Sequence, residues 1–198
     1  MLKRLWKINE TGFYMKQILS GKRIVLIIGL ITGMLAISKN GHGQVSNFPV
    51  PAADTNRLFY LQRTPNTNTI VYELNYDKGV LNEKEPVHVF WIRYGEQGQR
   101  AELSFIQRSF AYGVKTKAVA KDRYELRFVS YKKAAMQLVK AADNKYHIYA
   151  TINQKMAILN RIFIHINGGS FWSPNIEYVD LEGIDPATGK GISERRKI

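Results

Sequence analysis

From residue 57 onward, apolar positions recur mostly at every second residue. Ile70, Tyr72, Leu74 and Tyr76 alternate with Val71, Glu73, Asn75 and Asp77, which predicts a half-buried strand. Residues 87–94 are apolar on both faces and read as a central strand. Tyr124, Leu126 and Phe128 alternate with Arg123, Glu125 and Arg127. Segments 136–139 and 146–152 flank Asp143-Asn144, the signature of a hairpin. Further on, Ile158, Ile162, Ile164 and Ile166 are expected on one face with Met156 and Asn160, and Gly168-Gly169 ends that strand. A last short strand is expected at 176–181. One stretch breaks the rhythm. Over 99–113, Leu103, Ile106 and Phe110 fall at i, i+3 and i+7, with Gly113 where a C-cap belongs. This spacing predicts one amphipathic helix. About eight strands, one helix and no βαβ alternation give a mainly β fold, a single antiparallel β-sandwich or small β-barrel.

Upstream the pattern changes. Residues 24–37 form an unbroken apolar run preceded by Lys22-Arg23 and followed by Gly41-His42-Gly43. A basic stretch, a short apolar core and a small-x-small site make a secretory signal over 1–43, with Gln44 as the first mature residue. Met15 reads as the more natural start. A bilayer-spanning helix needs about 20 apolar residues, so an uncleaved anchor at 24–38 is the alternative. The expected organisation is then an extended, Pro-rich lead-in at 44–56, a β domain at 57–184 and a turn-rich basic tail at 185–198.

Charge takes a different meaning in that light. The whole chain of 198 residues carries +13. Residues 1–43 hold seven bases against one acid, or +6, and residues 44–198 hold 22 bases against 15 acids, or +7. About half of the charge therefore belongs to the targeting segment. The chain has no cysteine, which excludes disulfides, thiol catalysis, Cys-based zinc sites and lipidation at a cysteine. An exported domain without disulfides points to a bacterial envelope.

Candidate chemistry is sparse. His88, His147 and His165 lie in predicted strands without chelate spacing, so no metal is expected. There is no Gly-x-Ser-x-Gly elbow, and Gly189-Lys190-Gly191 lacks the spacing of a phosphate loop. No cofactor and no catalytic residue is assigned. On strand alternation, Asp180 and Glu182 share a face while Glu177 does not. Basic and aromatic side chains are interleaved, and Arg93, Arg108, Tyr112, Lys132, Lys133 and Trp172 are the candidate binding residues. Export argues against a nucleic-acid partner and for an anionic envelope partner: lipid headgroup, glycan or protein. Membrane contact is expected only through 24–38, where that segment stays uncleaved. The loop Gly168-Gly-Ser-Phe-Trp-Ser-Pro-Asn175 has two readings, a plug closing one end of the core or a rim on which Trp172 stacks against a ligand.

Several blocks carry a resemblance. Phe48-Pro-Val-Pro, Asp54-Thr-Asn-Arg-Leu-Phe-Tyr-Leu-Gln-Arg, Pro86-Val-His-Val-Phe-Trp-Ile-Arg-Tyr, Ile106-Gln-Arg-Ser-Phe-Ala-Tyr-Gly and Gly168-Gly-Ser-Phe-Trp-Ser-Pro-Asn-Ile-Glu-Tyr-Val are the most distinctive. With Asn68-Thr-Ile-Val-Tyr-Glu and Val129-Ser-Tyr-Lys-Lys, they make the chain similar over about 48–190 to domain of unknown function 4833. The resemblance implies a Bacteroidetes-type bacterium and brings no assigned activity or catalytic residue. The expected function is a non-catalytic binding or structural module of the cell envelope. The alternatives are an envelope hydrolase with a spatially assembled site, and a β-barrel for a small apolar ligand or lipid.

Overall fold

The computed structural model describes residues 48–198, so the signal or anchor read over 1–43 and the start of the lead-in lie outside the described residues. The elements run β1 (Arg57–Arg63), β2 (Asn66–Leu74), β3 (Tyr76–Asp77), β4 (Val80–Leu81), β5 (Val87–Arg93), β6 (Gln99–Glu102), α1 (Phe105–Phe110), β7 (Val114–Ala120), β8 (Arg123–Phe128), β9 (Met136–Lys140), β10 (Tyr146–Ile152), β11 (Lys155–Ser170), β12 (Ser173–Ile184) and β13 (Gly191–Lys197). The fold is mainly β, with one short helix among the described residues and a curled sheet that forms a half-barrel.

Eleven strands share one sheet. The path is β6-β5-β2-β1-β11-β10-β9-β8-β7, and β12 and β13 branch from β11. The long β11 makes the branch. Its first residues pair with β10, and Arg161 to Ile164 pair with Tyr60 to Arg63 of β1. β12 runs along it from Ile158 to Ser170. Pairing is antiparallel throughout except for β1 with β11, which are parallel.

The inner face is a filled core. Phe59, Ile70, Tyr72, Leu126, Leu138, Ile148, Ile152 and Leu159 are fully buried there. Phe59 and Tyr72 stack with centroids 4.2 Å apart, and Phe128 meets both edge-on. The expected inward set Ile70, Tyr72 and Leu74 is buried, whereas Tyr76 is exposed on the separate β3. Tyr60, Val71 and Phe90 form a smaller apolar cluster on the outer face. The lead-in crosses that face. Gln62 donates to the Pro49 carbonyl at 2.8 Å, Arg57 donates to the Pro51 carbonyl at 2.6 Å, and Phe48 packs edge-on against Phe163.

Three local expectations change. The helix over 99–113 shrinks to Phe105–Phe110, because Gln99–Glu102 pairs with β5 as an edge strand. Ser104 sets the new start: it accepts from the Gln107 N–H while the Gln107 side chain accepts from the Ser104 N–H. The C-cap is Ala111 rather than Gly113. Gly113 is needed for close approach instead, since a Cβ there would run into the Arg108 carbonyl. The apolar face over 156–166 switches phase. The register shifts between Leu159 and Arg161, so Ala157 and Leu159 point inward with Ile162, while Met156 and Asn160 are exposed. The tail is turn-rich only over 185–190; Gly191–Lys197 then pairs along β12 from Ile184 to Tyr178.

Candidate functional site

The six candidate residues do not form one site. Arg93 is paired with Glu96 at 3.0 Å beyond the end of β5. Tyr112 is buried, edge-on to Trp91, and its carbonyl accepts from the Tyr72 hydroxyl at 2.8 Å. Tyr112 is therefore a core residue and presents no contact surface. Arg108 reaches Glu102 at 3.2 Å. Lys132, Lys133 and Trp172 remain exposed. The structure thus leaves three solvent-facing groups, with Arg108 beside them, at one end of the fold.

That end is built from three segments. The first is α1, which has no buried residue. It is held by Gln107, which accepts from the Trp91 indole N–H at 3.2 Å and from the Ser104 N–H at 3.0 Å. With Gln107 turned to the sheet, Phe105, Ile106 and Phe110 are left 79%, 46% and 57% exposed. The second segment is the turn between β11 and β12, where Phe171 and Trp172 lie between the paired residues Ser170 and Ser173. Gly169 makes this turn possible. It sits at φ +85°, and a Cβ there would lie 2.6 Å from the Asn175 nitrogen and strike the Ser173 carbonyl. Phe171 and Trp172 are 48% and 56% exposed, so they do not plug the core. Trp172 instead meets Phe110 edge-on at 6.1 Å and Phe171 at 4.9 Å. The third segment carries Lys132 and Lys133. It is tied to the helix end by Ser130, whose hydroxyl donates to the Ala111 carbonyl at 2.7 Å, and by the Val129 N–H on the Gly113 carbonyl at 2.9 Å.

The segments that build this end run through acid-free stretches of sequence, although Arg108 is paired with Glu102. Between Glu102 and Asp122 the sequence has Arg108, Lys115, Lys117 and Lys121 and no acid. From Leu126 to Ala142 it has Arg127, Lys132, Lys133 and Lys140 and no acid. From Asn160 to Ile176 it has Arg161 and again no acid. Sequence reading placed Ile106 and Phe110 on a buried helix face, so the exposed aromatic cluster was missed. The available signal was the clustering of rings at 105–112 and 171–172 inside acid-free stretches.

The histidines are brought to acids, but as cross-strand pairs. His88 lies 3.0 Å from Glu73 through Nδ1 and 3.1 Å from Glu102 through Nε2. Arg100 also binds Glu73 and covers the Phe90 ring at 3.6 Å. His165 lies 3.3 Å from Glu177 and stacks on Tyr178 at 4.7 Å. Glu177 reaches that side because the register shifts between His165 and Ile166, which overrides simple alternation. His147 pairs with Asp143 at 2.8 Å, and the hydrogen bond from His147 holds the Asp143 carboxyl below the usual range. Among the described residues no three His, Cys, Asp or Glu groups could hold a metal ion. The strongest perturbations are structural: burial pushes the Tyr72 hydroxyl well up, and burial with the Asp122 hydrogen bond does the same for Tyr146.

No curated protein and no solved structure matches the chain. A family model does match, and it spans residues 59–195, from β1 through most of β13. The match takes in α1, the aromatic turn and the lysine loop together. On that coverage the chain belongs to the family described as Domain of unknown function (DUF4833).

Proposed function

We propose that the protein is an exported, non-catalytic binding module of the bacterial cell envelope that docks an anionic partner through the end formed by α1, the β11–β12 turn and the 129–133 loop. The observation that carries this reading is the contact of Phe110 with Trp172 at 6.1 Å, exposed on both sides and set among acid-free segments. Contiguous exposed aromatic surface costs solubility and marks interaction sites. Exposed basic side chains beside the rings favour an anionic partner and speed encounter with it. Lys132 and Lys133 supply such charge on the loop tied to α1. The apolar-ligand alternative finds less support, because the inner face is filled by side chains such as Tyr72 and Leu138.

Export and docking are tested together. The tagged full-length gene is expressed in a double-membraned bacterium and the product fractionated. The expected product begins at Gln44 and stays with the envelope, and raised salt releases part of it. Phe110→Ser with Trp172→Ser should release it further. A full-length cytoplasmic product, or equal retention of the double variant, refutes the reading.

A further inference from the structure

Resting on that docking reading, we infer that the anionic partner is a phospholipid bilayer surface. Phe105, Phe171 and Trp172 enter the interfacial layer, and Lys132 and Lys133 lie against the headgroups. Three observations carry this. First, the exposed groups at the tip are hydrocarbon rings and Ile106, which gain by leaving water but offer no hydrogen bonds apart from the Trp172 indole. Tryptophan is the side chain best suited to the headgroup layer, having a large apolar body with one donor.

Second, the polar groups beside the rings are already engaged within the fold. The Ser170 hydroxyl accepts from the Ser173 N–H at 3.1 Å. The Asn175 amide donates to the Asn167 carbonyl at 3.0 Å. Gln107 is shared between Trp91 and Ser104. A glycan would need several free donors and acceptors around the stacking ring, and each of these groups already makes a hydrogen bond within the fold. A bilayer needs none.

Third, the loop tied to the end of α1 carries Lys132 and Lys133, which have no ion-pair partner among the described residues, while Arg108 on α1 shares Glu102 with His88. Lysine near an anionic leaflet gains about 1 kcal/mol within a screening length of about 10 Å. Two such lysines and three inserted rings match the two-signal logic of reversible membrane attachment. This contact is separate from residues 24–38 and would persist after their removal.

The test uses the exported product beginning at Gln44, which retains Trp91 and Trp172 of the three tryptophans. Its binding is measured by co-sedimentation with phosphatidylcholine vesicles, with and without phosphatidylglycerol. Bromine-labelled acyl chains report ring insertion. The expected result is salt-sensitive binding that requires phosphatidylglycerol, with quenching assigned to Trp172 because Trp91 is buried. Trp172→Ser should abolish the quenching and weaken binding about tenfold, the loss of one buried aromatic side chain. Lys132→Glu with Lys133→Glu should weaken it by at least as much. Binding to soluble dextran sulfate but not to vesicles overturns the lipid assignment and leaves the anionic docking end standing. Binding to neither overturns both. Vesicle binding that none of these substitutions changes also overturns both.

Discussion

Phe110 and Trp172 lie 62 positions apart in the chain and meet edge to face, with ring centroids 6.1 Å apart. One is the last residue of a six-residue helix and the other lies in the turn of the longest hairpin. Each is more than half exposed. A pair of this kind contributes about 0.5–1.5 kcal/mol beyond area burial. A double-mutant cycle of Phe110→Ala and Trp172→Ala, followed by urea unfolding, should return a coupling in that range. Each single change should cost far less than Leu138→Ala, for which about 2–5 kcal/mol is expected in the core. A Trp172→Ala cost equal to that of Leu138→Ala would make Trp172 a core residue after all.

Gly183 and Gly191 offer a matched contrast on two paired strands. A Cβ on Gly183 would strike the Ile158 carbonyl and lie 2.9 Å from Ile152 Cδ1, whereas one on Gly191 would meet nothing within 4 Å. Gly183→Ala should therefore push β12 away from β11 and cost about 1–3 kcal/mol, the range for overpacking. Gly191→Ala should be neutral or slightly stabilising, by reducing the freedom of the unfolded chain. Thermal unfolding of both variants checks the contrast. Equal melting temperatures would mean that the β11–β12 pair yields without cost.

Much of the fold follows from period-two patterning, and its failures have one cause. The inward set Ile70, Tyr72 and Leu74 and the two-faced burial of β5 needed only alternation. Alternation fails at the bulges. The shift between Leu159 and Arg161 swaps which residues of β11 face the core, and the shift at Ile166 turns Glu177 toward His165. A bulge inserts one residue and inverts the phase after it, so a fixed period cannot see it. The candidate site failed differently. The i, i+3, i+7 spacing of Leu103, Ile106 and Phe110 assumes a helix on the core, but α1 is attached through Gln107 and leaves two of those three exposed. Attachment through a polar anchor leaves no hydrophobic periodicity to read.

Tyr72 makes stability depend on alkaline pH. It is fully buried, stacked on Phe59, and its hydroxyl donates to the Tyr112 carbonyl. Burial raises its pKa well above the ordinary tyrosine value. The neutral form is thus favoured in the folded state. The contribution is complete below the unfolded value of about 10, and it is lost as pH rises from there toward the folded value. Burial shifts Tyr60, Tyr94 and Tyr124 in the same direction. The urea midpoint should therefore fall steeply above about pH 10. Tyr72→Phe keeps the stacking, loses a hydrogen bond of about 1 kcal/mol, and should flatten part of that fall. An unchanged slope in Tyr72→Phe would assign the alkaline loss to the other tyrosines.

Acid should act through the β13 edge. Arg196 donates to both oxygens of Glu194, at 2.9 and 2.8 Å, and the Asn153 N–H reaches the same carboxylate at 2.7 Å. The Arg196 hydrogen bond, followed by that of Asn153, holds the Glu194 carboxyl below its usual range. A lowered carboxyl contributes stability that is present above the unfolded value of about 4.3 and lost as pH falls through the folded value. Arg196 is 40% exposed on its side chain, so solvent and salt screen the pair and its worth is held to about 0.5–1 kcal/mol. Arg196→Gln should return the Glu194 titration toward the ordinary value, as followed by carboxyl carbon NMR. It should also remove an equal part of the stability lost between about pH 5 and pH 3. A Glu194 titration unmoved by Arg196→Gln would assign the low value to the Asn153 N–H alone, and the β10–β11 turn that presents it would then be the acid-sensitive element.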